Sequence, residues 1–188
     1  MHRAERAIVE VFDQGWARFL KRLDGLDDRE YFWEPVAGCW SVRQGADGRW
    51  EFDGEGGFPR GGRVPPDPMP FATIAWRIGH LGLTFIGFGD RLFFEGAVAL
   101  DEVAVPPSAA AAARFLEYAY EGYWRGRLEE LEDERWEQPV GQAFGPYSGH
   151  SGTELVLHVL EEFTRQAGEI GLLRDLYRYR DHRVGAEA

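Results

Sequence analysis

The chain has 188 residues and a formal net charge of −11 with neutral histidines, and it is rich in aromatic residues (7 Trp, 7 Tyr and 13 Phe). This length suits one domain, 1–188, with a full core. The acidic balance argues against nucleic acid as a partner, because phosphate binding needs clustered Lys and Arg. We expect a cytoplasmic protein without a membrane segment, because no stretch approaches the ~20 apolar residues of a membrane span, the N-terminus lacks a signal-peptide core, and Cys39 has no second cysteine to pair with.

The predicted fold class is all-α, because apolar residues recur at steps of three and four along four segments. The predicted helices cover about 3–25, 71–94, 108–136 and 153–180. Thr73 and Ser108 are the expected N-caps of the second and third helices. Glycines in the second helix lower its helix propensity and indicate that a neighbour or a ligand approaches closely there.

The segment between the first two helices, 34–70, is rich in Gly, Pro and Trp. A connection of this length inside one domain is usually functional or mobile. Residues 40–43 and 49–52 flank an Ala-Asp-Gly turn at 46–48, which predicts a short β-hairpin within this insertion.

Polar residues interrupt the inner faces of the second and fourth helices. The fourth helix carries His158, Glu162 and Gln166 at successive four-residue steps, close to one face. The second helix carries Arg77 and His80 on the flank of its apolar stripe. Imidazole and carboxylate groups on facing helices of a bundle can bind a divalent metal such as zinc, nickel or iron.

Each of these residues also has a purely structural interpretation. A histidine beside an apolar stripe is often a hydrogen-bonded core residue, which applies to His80 and His158. Glu162 would then pair with Arg165 or Arg77, and Gln166 would hydrogen-bond to Glu162 or His80.

Three segments resemble a known family. Residues 71–81 (FATIAWRIGHL) and 168–178 (GEIGLLRDLYR) resemble the second-helix and fourth-helix signatures of the DinB-like superfamily, and 31–43 (YFWEPVAGCWSVR) resembles an actinobacterial-type branch of it. The resemblance implies a four-helix bundle with up-down-down-up connectivity. It also implies long crossover connections rather than tight hairpins throughout.

The resemblance also implies a set of metal-site positions. Many superfamily members bind a divalent metal through a His on helix two and two residues one turn apart on helix four. In the mycothiol-dependent maleylpyruvate isomerase branch, this pair is a Glu followed four residues later by a His. The matching positions here are His80, Glu162 and Gln166, with His158 as the candidate substitute for the third ligand. The glutamine departs from the pattern, because an amide oxygen is a much weaker zinc ligand than an imidazole nitrogen.

Two functional hypotheses follow from the resemblance. In the first, the chain is a non-catalytic or small-ligand-binding member whose polar residues form a closed network. In the second, it is a metal-dependent transferase or isomerase that uses a thiol such as mycothiol or bacillithiol, and Arg77 meets a carboxylate of that cosubstrate. The abundance of aromatic residues is compatible with a homodimer formed through helix faces.

Overall fold

A computed structural model describes residues 2–54, 68, 70–94 and 96–181, and most of these residues are helical. The all-α class predicted from the sequence is therefore confirmed. The up-down-down-up order of the helices stays a prediction. In the described residues, no helix is both long enough and apolar enough to cross a membrane.

Helix α1 spans Arg3–Leu23 and buries the apolar stripe that the sequence pattern indicates, including Phe12 and Trp16. A short helix, α2, follows at Asp28–Tyr31, where the Asp27 side chain accepts a hydrogen bond from the Glu30 amide. Tyr31 is fully buried, and its hydroxyl donates to the Pro106 carbonyl. The first turn after α1 is therefore tied to a distant part of the chain.

The predicted hairpin is present as strands β1 (Val42–Gln44) and β2 (Trp50–Phe52), which pair antiparallel with Val42 opposite Phe52. The Gly45 amide donates to the Arg49 carbonyl and closes the turn. Trp40 bridges to Ala72 just before the next helix, so the hairpin is fixed to that helix at its start. The rest of the 34–70 insertion, at 55–67 and 69, lies outside the described residues.

Helix α3 spans Ile74–Phe93, and the Thr73 side chain accepts from the Trp76 amide as the expected N-cap. Its glycines lie under close neighbours. A Cβ at Gly79 would lie 2.4 Å from the Phe52 ring, and one at Gly89 would lie 2.1 Å from the Tyr123 carbonyl oxygen. These positions therefore exclude a side chain, and protein neighbours account for the close approach.

The prediction of one continuous helix at 108–136 is wrong. The structure has helix α4 at Ala109–Ala119, a π-helical stretch at Tyr120–Arg125, helix α5 at Gly126–Leu128 and helix α6 at Asp133–Glu137. Ser108 caps α4 as expected, by accepting from the Ala111 amide. The wider π turn brings the Glu121 carbonyl oxygen to 2.7 Å from the position of a Cβ on Gly126. The exposed acidic residues around 129–134 then end the helical run.

A short 3-10 helix at Gln142–Tyr147 leads into helix α7, Gly152–Tyr179, where Ser151 and Glu154 form a capping box. Helix α7 packs against α1 and α3, and α3 also packs against α4 and the π-helical stretch. The aromatic core lies among these helices, where Phe163 of α7 contacts Phe12, Trp16 and Phe85. The contact between α3 and α7 is where the predicted polar residues meet.

Candidate functional site: a polar network between two helices

His80 lies on α3 with its ring against Trp76, one turn earlier in the same helix. The two rings stack with centroids 5.0 Å apart and planes 7° apart. Trp76 is held in turn from the hairpin side, since its indole N–H donates to the Asp53 carbonyl at 3.1 Å. The His80 imidazole is nearly buried and reaches α7, where its Nε2 lies 3.4 Å from Oε2 of Glu162.

Glu162 is a half-buried carboxylate held from two sides. Nη2 of Arg165, three residues later on α7, donates to Oε1 at 2.7 Å and to Oε2 at 2.6 Å. The hydrogen bond from His80 and, against the opposing effect of burial, the contact with Arg165 lower the pKa of Glu162 to about 2. An ionised carboxylate only accepts hydrogen bonds, so His80 is the donor in any hydrogen bond between the two side chains.

Arg77 is a nearly buried cation on α3 and contacts two residues of α7. Its Nη1 donates to Oε1 of Gln166 at 3.2 Å and also to Oε2 of Glu169. Desolvation, followed by the nearby charge of Arg165, lowers the pKa of the Arg77 guanidinium to about 10. Gln166 is 1% exposed. Its buried amide oxygen needs a hydrogen-bond partner, and Nη1 of Arg77 is that partner.

One further ion pair joins the two halves, because Nη1 of Arg165 lies 3.9 Å from Oε1 of Glu169. The resulting chain of contacts is called here the interhelical network, and it comprises His80, Glu162, Arg165, Glu169, Arg77 and Gln166. Two guanidinium cations and two carboxylate anions balance within it. This balance offsets much of the cost of removing charges from water.

His158, the candidate substitute ligand, lies in an aromatic environment. Its ring centroid is 5.6 Å from that of Phe88 and 4.6 Å from that of Tyr147. Among the described residues, no hydrogen bond or ion pair joins His158 to Glu162. Burial and then the charge of Glu162 raise the pKa of Tyr147, whose ring packs on His158 of α7.

The donor set of the network does not fit a divalent metal. Both oxygens of Glu162 accept from Arg165, and the Gln166 oxygen accepts from Arg77. An Nε2 that donates to Glu162 has no free lone pair for a metal, because a metal ligand must be the unprotonated nitrogen. Within the described ranges, no group of three or more His, Cys, Asp or Glu side chains is arranged to hold a metal.

The structure thus brings four predicted residues together with Arg165, an expected partner of Glu162, and it adds two residues that the sequence reasoning did not place in the site. Gln166 was expected to bond to Glu162 or His80, and it bonds to Arg77 instead. Of the two expected partners of Glu162, Arg165 is the one in contact. Glu169 and Trp76 were missed, although Arg165 stands three residues after Glu162 and four before Glu169, which is the spacing of ion pairs along a helix.

These features define a class: a helical domain with an arginine–glutamate network at the contact between two long helices. The chain belongs to the DinB superfamily, whose sequence model matches residues 11–170. The matched range includes every residue of the interhelical network. Comparison with the curated proteins and comparison with the solved structures each give no match.

Proposed function

We propose that this DinB-superfamily chain is a metal-independent, non-catalytic domain that binds a small ligand at the interhelical network. The observation that carries the proposal is that both Glu162 oxygens and the Gln166 oxygen accept hydrogen bonds from two arginines. At the positions where the family resemblance implies metal ligands, the chain supplies guanidinium groups as the cations.

The energetics support this assignment. A metal at this position would have to displace Arg165 from Glu162, and it would leave the nearly buried Arg77 without its Gln166 contact. Removing the acceptor of a hydrogen bond from a charged donor typically costs about 1.5–3 kcal/mol. A metal would also lie close to two guanidinium cations, which repel it. The network is therefore more compatible with an empty metal position than with a filled one.

Ligand binding is supported by the exposure of one side of the network. The side chains of Arg165 and Glu169 are partly open to solvent, and the exposed Phe71 ring lies beside Arg77. Charged groups next to an exposed aromatic ring are typical of sites that orient a small polar molecule. His80 and Gln166 are buried behind this rim and hold it in place.

Changing Gln166 to His tests the proposal, because it restores an imidazole at the position where the network has an amide. We expect Q166H to bind zinc at least tenfold more tightly than the wild type, since imidazole is the stronger zinc ligand. We expect a larger increase in zinc affinity when Q166H is combined with R165A. Zinc titration with a competing chromophoric chelator measures the affinity. Q166A is the matched control, which removes the amide without adding a ligand. Equal zinc affinity in the wild type and in Q166H would contradict the proposal.

A second candidate function is a metal-dependent thiol transferase or isomerase of the mycothiol or bacillithiol kind. The contact of 3.4 Å between Nε2 of His80 and Oε2 of Glu162 favours it, because these are two of the three positions implied by the family resemblance. This function requires a stoichiometric divalent metal in the wild-type protein. The same titration therefore separates the two candidates.

A further inference from the structure

Arg77 has more hydrogen-bonding capacity than its neighbours use. Its Nε donates to the Ala72 carbonyl at 3.3 Å, and its Nη1 serves both Gln166 and Glu169. None of the hydrogen bonds between described residues involves its Nη2. The guanidinium carbon lies 5.7 Å from the centre of the Phe71 ring, on the open side of the network. Arg77 is thus held in position, and its Nη2 makes no hydrogen bond to the described part of the chain.

Glu169 is the most loosely held anion of the network. Its side chain is 37% exposed, and it contacts Arg77 through Oε2 alone. Its other oxygen lies 3.9 Å from Nη1 of Arg165, beyond hydrogen-bonding distance. A glutamate whose side chain is 37% exposed can turn into solvent, and a carboxylate that takes its place keeps the nearly buried Arg77 paired, while the backbone and Gln166 hold Arg77 in position. If Glu169 turns away, two guanidinium groups face one vacated anion position.

We propose that Arg77 and Arg165 together bind the carboxylate group of a small apolar acid, and that Glu169 occupies this position until the acid displaces it. This inference rests on the proposed function, because it treats the network as a ligand site. It adds the chemical class of the ligand and an internal competitor. The planar guanidinium fork matches a carboxylate, and the exposed Phe71 ring offers an apolar surface to the body of the ligand.

A carboxylate suits the site better than a phosphate. Glu162 stays ionised beside Arg165, and Glu161 lies on the same helix with Oε1 at 3.8 Å from Nε of Arg165. A doubly charged phosphate would meet stronger repulsion from these carboxylates than a singly charged acid would. Benzoate is therefore the probe of choice, with inorganic phosphate as the comparison.

Glu161 and Glu169 provide a matched pair of test positions. Both are glutamates of α7, four residues before and after Arg165, and their nearest contacts with it are 3.8 Å and 3.9 Å. Only Glu169 also contacts Arg77. Replacement of either residue by Gln removes one negative charge from the same neighbourhood, but only E169Q vacates the position on Arg77.

The experiment is a calorimetric titration of benzoate into chelator-treated full-length wild type, E169Q and E161Q at one ionic strength. We expect E169Q to bind benzoate at least about tenfold more tightly than the wild type, and E161Q to change the affinity by less than about threefold, since exposed ion pairs contribute little. In the E169Q background, R77K should lose most of the gain, because lysine keeps the charge and lacks the fork. Thermal melts establish that each variant is folded.

Three results would overturn the inference: equal gains in E169Q and E161Q, no benzoate binding by folded E169Q, or tighter binding of phosphate than of benzoate. Its failure is distinguishable from failure of the proposed function. If the wild type is free of metal and folded E169Q does not bind benzoate, this inference alone fails. A wild type that binds zinc as tightly as Q166H removes the proposed function.

Discussion

Helix α7 carries two arginine–glutamate clusters. They differ in burial and in how many arginine nitrogens donate hydrogen bonds to described residues. Near its C-terminal end, Arg174 is 2% exposed and Glu30 is 6% exposed, and they form a two-pronged ion pair of 2.8 Å and 3.0 Å. The remaining nitrogen of Arg174 donates to the Arg22 and Asp24 carbonyls at the end of α1. In the interhelical network, by contrast, Arg165 and Glu169 are partly exposed, and no hydrogen bond between described residues involves Nη2 of Arg77.

The difference shows how burial distinguishes an ion pair that stabilises the fold, here called a structural lock, from a candidate binding site. The Arg174–Glu30 pair uses all three guanidinium nitrogens on partners from α1, α2 and the turn between them, so it ties these elements to α7. Because both side chains are buried, the pair offers no solvent-facing donor to a ligand. The interhelical network also joins two helices, yet its outer members are open to solvent. The same chemistry therefore fixes the fold at one end of α7 and stays available for binding further along it.

The largest expected effect is on the buried pair. R174M keeps much of the apolar volume and leaves Glu30 buried without its partner, so we expect it to lower the free energy of unfolding by about 3–5 kcal/mol. Urea unfolding of the wild type and the variant measures this change. R178A is the matched control, because Arg178 is an exposed arginine one turn later on α7, and it should stay within about 0.5 kcal/mol of the wild type. A loss below about 1 kcal/mol for R174M would contradict its role as a lock.

A smaller, pH-dependent effect is expected at the network. The pKa of Glu162 is about 2 in the folded chain and about 4.3 in an unfolded one, so its stabilisation is complete above about pH 5 and is lost as the pH falls toward 2. The wild type should exceed E162Q in unfolding free energy by about 2–3 kcal/mol near pH 6, and the difference should fall toward zero in acid.

Urea unfolding of both proteins at several pH values between 2.5 and 7 checks this expectation. E161Q, which removes an exposed glutamate of the same helix, is the control and should follow the wild-type curve. A constant difference between the wild type and E162Q at all pH values would show that the Glu162 carboxylate is not held in its ionised form. The interhelical network would then contribute to stability by packing alone. Its contrast with the buried Arg174–Glu30 pair would have no electrostatic basis.

Periodicity explains which parts of the fold were predictable. The apolar stripes of α1 and α7 each bury one face and α3 is buried nearly all round, yet the spacing of apolar residues locates all three helices, and Thr73 and Ser108 cap as their side-chain chemistry indicates. The interruption after α4 has a tertiary cause, because the Tyr123 carbonyl packs directly on Gly89 of α3. Helical spacing within one segment contains no information on such a contact.

The site was predictable in its members and not in its pairings. His80, Glu162, Gln166 and Arg77 do meet between α3 and α7, as their positions on inner flanks suggested. The rotation of α3 against α7 decides whether Arg77 or Arg165 contacts Glu162. A sequence pattern contains no information on this rotation. That rotation places Arg77 against Gln166 and Glu169, and it leaves Glu162 to Arg165.

The most direct test of the central claim is the metal content of the wild-type protein. Protein produced with zinc and nickel supplied, and purified without chelators, is measured by inductively coupled plasma mass spectrometry. The arginine-filled network predicts less than about 0.1 equivalent of any divalent transition metal, because Glu162 and Gln166 already serve as acceptors for guanidinium groups. About one equivalent in the wild type, lost in H80A and in E162Q, would contradict the account.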